Sequence, residues 1–183
     1  MHTNGITANE ALEKLLAGNC AYRNATVNTG DISPRIRERT CREGQTPYAV
    51  IISCSDSRVI PESIFMAGIG ELFVIRVAGN VMDDHQLGSV EYAVSHLGCK
   101  LVLVLGHTHC GAVDAAMHHE PEGYIKFITD EIRLAIGDET DALKACCLNV
   151  ERSVSVIRES LAGQELTVRG AVYHIENGMV EIR

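Results

Sequence analysis

Two runs, Ala49-Val50-Ile51-Ile52-Ser53 and Leu101-Val102-Leu103-Val104-Leu105, constrain this chain more than any other feature. Each is short and continuously apolar, without the polar alternation of a half-solvated strand. Such runs read as strands buried on both faces, which is the environment of a parallel sheet covered by helices. The first runs into Cys54-Ser55-Asp56-Ser57-Arg58 and the second into Gly106-His107-Thr108-His109-Cys110-Gly111. In open α/β sheets, ligands gather at the carboxyl ends of the strands. Two strand ends carrying cysteine and histidine therefore direct attention to one rim.

The segments between these runs agree with that architecture. Ala8 to Asn24 carries Ala11, Leu12, Leu15, Leu16 and Ala21 at helical spacing, with Asn9 as N-cap. Its apolar stripe has two possible partners, its own domain or a second subunit. Ser33-Pro34 opens a charged helix over 35–42. Pro61 to Met66 forms a helical turn, and Leu72 to Val77 a strand running into Ala78-Gly79-Asn80, where a turn with positive φ is expected. A helix over 83–97 stops at Gly98, and another starts after Gly111. Tyr124 to Ile136 and Ala142 to Leu161 are amphipathic helices, the second with Leu143, Cys146, Cys147, Val150, Val154, Ile157 and Leu161 on one face. A strand over 165–174, an Asn177-Gly178 turn and a short strand over 179–182 close the chain. The β–α alternation predicts an α/β fold with a mainly parallel central sheet flanked by helices.

Composition excludes some functions. The net charge is −8, and no basic patch exists to hold nucleic acid. No apolar run approaches the roughly 20 residues that span a bilayer. Met1-His2-Thr3-Asn4-Gly5 lacks the layout of a secretory signal. Seven cysteines without such a signal point to a reducing, cytoplasmic setting. Cys20, Cys41, Cys99, Cys146 and Cys147 read as small buried hydrophobes. Cys54 and Cys110 differ, because each stands at a strand end among polar residues and glycine.

Cys54, His107 and Cys110 form a donor set suited to zinc. Three protein ligands with one position open is the catalytic arrangement; a fourth, from His109 or Asp56, would close the site. Arg58 stands where it can pair with Asp56 and hold its carboxylate. Zinc at an open position lowers the pKa of bound water toward about 7. Two thiolates cancel the formal charge of Zn²⁺, so water is acidified less here than at a three-histidine site, and an oriented acceptor such as Asp56 gains importance.

Cys54-x-Asp56-x-Arg58 followed by His107-x-x-Cys110-Gly111 resembles the β-class carbonic anhydrases. The resemblance continues through Arg76-Val77-Ala78-Gly79-Asn80, Gly88-Ser89-Val90-Glu91-Tyr92-Ala93-Val94, Asn149-Val150 and Gly170-Ala171-Val172-Tyr173. It implies reversible hydration of carbon dioxide to bicarbonate and a proton, with one Zn²⁺ per subunit on Cys54, His107 and Cys110. Zinc-bound hydroxide would be oriented by the catalytic pair Asp56 and Arg58, and Asp56 could instead swing onto the metal. Gln45, Phe73, Ala78, Tyr92 and the Gly111 backbone would line the substrate pocket. Gln45, Phe73 and Tyr92 would enter from a partner subunit, making a homodimer the smallest active unit and dimer or higher assembly the expected state. Residues 1–183 would form one domain, with 1–45 as a helical arm on the partner and 46–183 as the sheet core.

Gln45, and Ile51 where regulated relatives carry tryptophan, place the chain with the plant-like, open-site branch; the chain has no tryptophan. His109 departs from the commoner residues at its position and reads as structural or solvent-facing, with a proton shuttle as the sharper alternative. His118 and His119 read as exposed residues on different helix faces, and Arg76 as a structural ion-pair partner. Gly79 lacks a phosphate-binding pattern. Two rival functions keep the same residues: hydrolysis of carbonyl sulfide or carbon disulfide, and a non-catalytic zinc-binding regulatory role.

Overall fold

The computed structural model describes residues 6–120 and 122–183; Met1–Gly5, on which the leader reading rested, and Pro121 lie outside them. The elements are α1 (Ala8–Tyr22), α2 (Pro34–Glu43), β1 (Ala49–Ser53), α3 (Pro61–Ile64), β2 (Leu72–Arg76), α4 (Asp84–Leu97), β3 (Leu101–His107), α5 (Gly111–His118), α6 (Ile125–Ile136), α7 (Ala142–Ser160), β4 (Thr167–Tyr173) and β5 (Val180–Ile182). The sheet order is β2-β1-β3-β4-β5. All pairings are parallel except β4 with β5, which closes as an antiparallel hairpin. The mainly parallel α/β architecture expected from the apolar runs is present.

The pleat divides the apolar runs between two faces. Ile51, Leu101, Leu103 and Leu105 pack with Ala11 and Leu15 of α1 and with Ile64. Val50, Ile52, Val102 and Val104 face the other way, onto Val90 and Ala93 of α4 and Val150, Val154 and Ile157 of α7. Every residue of β1 and β3 is buried, as continuous apolarity demands. Close approach of α7 to the sheet needs Gly106, where an added Cβ would meet Val150 Cγ2 at 2.5 Å.

The N-terminal helix differs from expectation at its start. Its cap is Thr7, not Asn9: the Thr7 hydroxyl accepts from the Glu10 amide, and the Glu10 carboxylate accepts from the Thr7 amide. Of the two partners open to its stripe, the chain's own sheet takes Ala11 and Leu15, which are fully buried, while Leu16 stays exposed. Asn19 fixes this packing: its amide donates to the Gly178 carbonyl at 2.8 Å and accepts from Val180 N at 2.9 Å. A buried amide satisfied on both sides ties α1 to the β4–β5 hairpin.

The cysteine reading also needs correction. Cys99 and Cys146 are buried, but Cys20 and Cys41 are exposed and Cys147 is half-buried. Helical periodicity places a residue on a face; it does not reveal whether another element covers that face.

Candidate metal centre

β1 connects outward to β2, whereas β3 lies on its other side, so the chain changes direction between β1 and β3. In open α/β sheets the gap beyond such a switch point is where ligands sit. Ser53 pairs with Leu105, which places Cys54 level with Gly106 and beside His107. β3 runs two residues further than its apolar core, so His107 is the last strand residue and is fully buried. Cys110 then caps α5.

The ligand atoms of Cys54, His107 and Cys110 all lie within 4.8 Å of one another, and all three residues are buried. His107 Nδ1 donates to the Thr108 carbonyl at 2.8 Å, which leaves Nε2 as the bare nitrogen. Nε2 is buried without a hydrogen-bond partner. A buried orphan nitrogen between two sulfurs fits a metal ion and little else.

The sulfur environment agrees. The Cys54 thiol is pulled down chiefly by its hydrogen bond with Cys110, with further help from the amides of Gly79 and Asp56. Gly79 N lies 3.3 Å and Asp56 N 3.4 Å from its sulfur. Cys110 is pushed up by the same contact and by burial, against the opposing α5 amides of Val113 and Ala112. The contact that lowers one thiol raises the other, and a cation bound between them would leave both as thiolates. Zinc is the ion that this donor set and burial suit best.

Beside the donors stands a charged pair. Arg58 Nε donates to Asp56 Oδ1 at 2.9 Å and Nη2 to Oδ2 at 2.7 Å, a bidentate fork. Those bonds hold the Asp56 carboxyl well below the usual carboxylate range. Arg58 Nη2 also donates to the His109 carbonyl at 3.1 Å, bridging the two donor loops. Arg76 donates from Nε to the Cys54 carbonyl at 3.2 Å and from Nη2 to the Asp56 carbonyl at 2.8 Å. Arg76 therefore fits a structural role, but the expected ion pair does not form among the described residues: its partners are backbone carbonyls.

The pocket residues do not converge on these donors within one chain. Gln45 is exposed in the loop before β1. Phe73 pairs with Val50, well below the rim, and its ring lies 6.1 Å from that of Tyr92, which is 47% exposed on α4. Ala78 is half-buried beyond β2. A cavity of about 510 Å³ adjoins Cys110, lined by His109, Gly111, Cys146, His174 and Glu176 among others; Gly111 alone of the expected pocket residues reaches it.

Several supporting residues escaped the sequence reading. The Asn149 amide donates to the Gly79 carbonyl at 2.7 Å, holding the turn whose amide reaches Cys54. Gly79 adopts φ 69°, as its strand-end position suggested, and an added Cβ would meet Ile132 at 2.7 Å. Cys146 donates to the His107 carbonyl at 3.3 Å, and burial pushes its thiol up to about 12. Asn149 interrupts the apolar face of α7, and that interruption was the available signal. His118 and His119 are exposed as expected, yet both imidazoles lie 3.8 Å from the Asp114 carboxylate. α5 ends at His118, so the two rings are not held to different helix faces.

The family model described as carbonic anhydrase matches residues 49–180, the whole span from β1 to β5. This chain belongs to the β-class carbonic anhydrases. Carbonic anhydrase 2 of Mycobacterium tuberculosis is 33% identical over 204 aligned positions, covering 100% of this chain and 94% of the relative. The carbonic anhydrase of Mycolicibacterium smegmatis is 35% identical over 164 positions, 80% of each chain. Among solved structures, a tetrameric β-carbonic anhydrase of Sordaria macrospora superposes with a TM-score of 0.72 at 26% identity, covering 95% of this chain and 94% of that one. The Coccomyxa β-carbonic anhydrase, solved with acetazolamide, gives 0.67 at 29% identity, covering 84% and 86%. No helix among the described residues of this carbonic anhydrase is long and apolar enough to cross a membrane.

Proposed function

We propose that this carbonate dehydratase interconverts carbon dioxide and bicarbonate with one Zn²⁺ per subunit held by Cys54, His107 and Cys110. The observation that carries the reading is the buried His107 Nε2, bare between two sulfurs and beside an ion-paired carboxylate. Zinc bound there supplies acidification of a water molecule toward neutral pH.

The chain's own groups supply the rest. Asp56 stays ionised because Arg58 occupies it from one side. A carboxylate offers only acceptor positions, and with Arg58 using some of them, those left accept the proton of the attacking water and aim its lone pair at carbon. Arg58 keeps that carboxylate off the metal position, which is the open-site reading. Gln45, Phe73 and Tyr92 serve the site of a second copy, an assignment supported by the exposure of Gln45 and Tyr92 and the half-burial of Phe73 on edge strand β2. Gln45 donates to a substrate oxygen, the two rings exclude water, and Ala78 with the Gly111 backbone closes the pocket. The smallest active unit is then a homodimer, and the relative from Sordaria is a tetramer. Thiolate donors need reducing surroundings, which fits the cytoplasm.

Stopped-flow CO₂ hydration by zinc-loaded protein at about pH 8.5 tests the reading. Marked acceleration is expected, and Asp56→Ala should retain zinc while losing about 100-fold or more in kcat. No acceleration by the wild type sinks it. Faster turnover of carbonyl sulfide than CO₂ on the same preparation replaces the substrate and keeps the site.

A further inference from the structure

Among the described residues, His109 is one of three non-glycine residues with positive φ, at 56°. Left-handed backbone is disfavoured for residues with a Cβ, and histidine is among the few that enter it with some frequency. The conformation places Cys110 at the head of α5 and leaves the His109 carbonyl accepting from Arg58 Nη2 at 3.1 Å. The imidazole is exposed and makes no hydrogen bond among the described residues. Position 109 thus engages the dyad through its backbone alone.

The same Arg58 Nη2 donates to Asp56 Oδ2. For the Asp56 carboxylate to rotate onto the metal position, Arg58 must release it or follow it. Following is blocked while the guanidinium is pinned to the opposite loop. Arg76 meanwhile holds the Cys54 and Asp56 carbonyls, so the main chain of the Asp56 loop cannot carry the side chain across as a unit. The remaining freedom is a side-chain exchange, and the His109 carbonyl opposes it.

We propose that His109 is a positioning residue whose left-handed backbone holds Arg58 on Asp56 and so keeps Asp56 off the metal, with its imidazole dispensable. This rests on the zinc-site reading above. It assigns the balance between open and Asp56-blocked sites to the residue preceding the second cysteine.

Cobalt(II)-loaded protein tests this without recourse to turnover. Azide is titrated at about pH 7 against the visible spectrum of the cobalt centre, since an open site takes the anion and a blocked one resists it. His109→Gly and His109→Asn keep access to positive φ and discard the imidazole; both are expected to bind azide like the wild type. His109→Val resists that backbone, and its apparent azide Kd is expected to rise about tenfold with one cobalt per chain retained. His109→Ala, a milder change, should fall between and serves if the valine variant does not fold.

Wild-type azide binding by both the valine and alanine variants overturns the proposal. So does weakened binding in the glycine variant, which would make the imidazole the active part. Loss of cobalt from a folded valine or alanine variant also overturns it, because the turn would then serve metal retention. Failure of the zinc-site reading looks different: the wild type itself would take up no cobalt.

Discussion

The two halves of this site are built in opposite ways. Cys54, His107 and Cys110 are buried; the amides of Gly79 and Asp56 hold the Cys54 sulfur, and the Thr108 carbonyl, accepting from Nδ1, holds the His107 ring. Gln45, exposed in the loop before β1, and Phe73 and Tyr92, half-buried and exposed at the β2 edge, touch none of this. The donors lie at the ends of adjacent central strands, whose register is set by burial on both faces. The aromatic pair lies on and against the edge strand β2, whose residues are half-buried or exposed. A single chain brings the donor atoms together at its own switch point, whereas the residues on its open edge are left to a second copy in the dimeric reading proposed above.

Cys110→Ser should break the donor half most severely. One buried sulfur is lost while the other donors stay unsatisfied, so zinc per chain should fall below about a tenth and CO₂ hydration by about 1000-fold or more. Elemental analysis beside stopped flow checks it, and full zinc content in the variant would remove Cys110 from the ligand set.

Thiol labelling separates the buried cysteines from the outlying ones. Exposed Cys20 and Cys41 should react first at about pH 8. Cys99 and Cys146, pushed by burial up to about 11 and about 12, should react at least about 100-fold more slowly. Peptide mapping after timed alkylation reads the order, and equal rates would contradict the packing of α7 on β3.

Sharing of the site between copies predicts complementation. Tyr92→Ala combined with Gln45→Ala, refolded together with an equal amount of Cys110→Ser, should recover about a quarter of wild-type activity. Half the dimers are mixed, and each mixed dimer holds one intact site. Recovery no greater than the sum of the two parents would confine the site to one chain.

Leu15→Ala probes which body the stripe of α1 serves. Emptying a fully buried leucine should cost about 3 kcal/mol in urea unfolding. Association, followed by light scattering, should not change, since Leu15 is covered within its own chain. A change in oligomeric state at unaltered stability would return α1 to the partner.

The smallest effect concerns pH. The folded pKa of Asp56 is depressed, so its pairing stabilises the protein above the ordinary carboxylate pKa of about 3.9 and fades as pH falls through the lowered value. The gap in unfolding free energy between wild type and Asp56→Asn should therefore narrow on acidification from about pH 5 toward pH 2. It stays small throughout because half of the Arg58 side chain is in water. A gap that widens in acid would mean that the pair is not ionised in the fold.

Much of this was legible from residue order. Continuous apolar runs cannot be satisfied except by burial on both faces, so β1 and β3 were readable, and cysteine and histidine at their ends gave the donor set. Gly98 at φ 73° and Gly79 at φ 69° stand where strand and helix ends required them. Other features depend on which surfaces meet. Nothing local in α1 distinguishes a stripe covered by its own sheet from one covered by a neighbour. Nothing in the sequence around Asn149 says that its amide will meet Gly79, 70 residues away. The Arg58 bond to the His109 carbonyl likewise exists only because β1 and β3 are neighbours at one register. Sequence determines periodicity, backbone permissiveness and the chemistry a side chain can offer, because these are properties of residues and their near neighbours. Tertiary structure alone decides which distant groups share a hydrogen bond, a guanidinium or a metal, because those are properties of distances that the chain sets only when it closes.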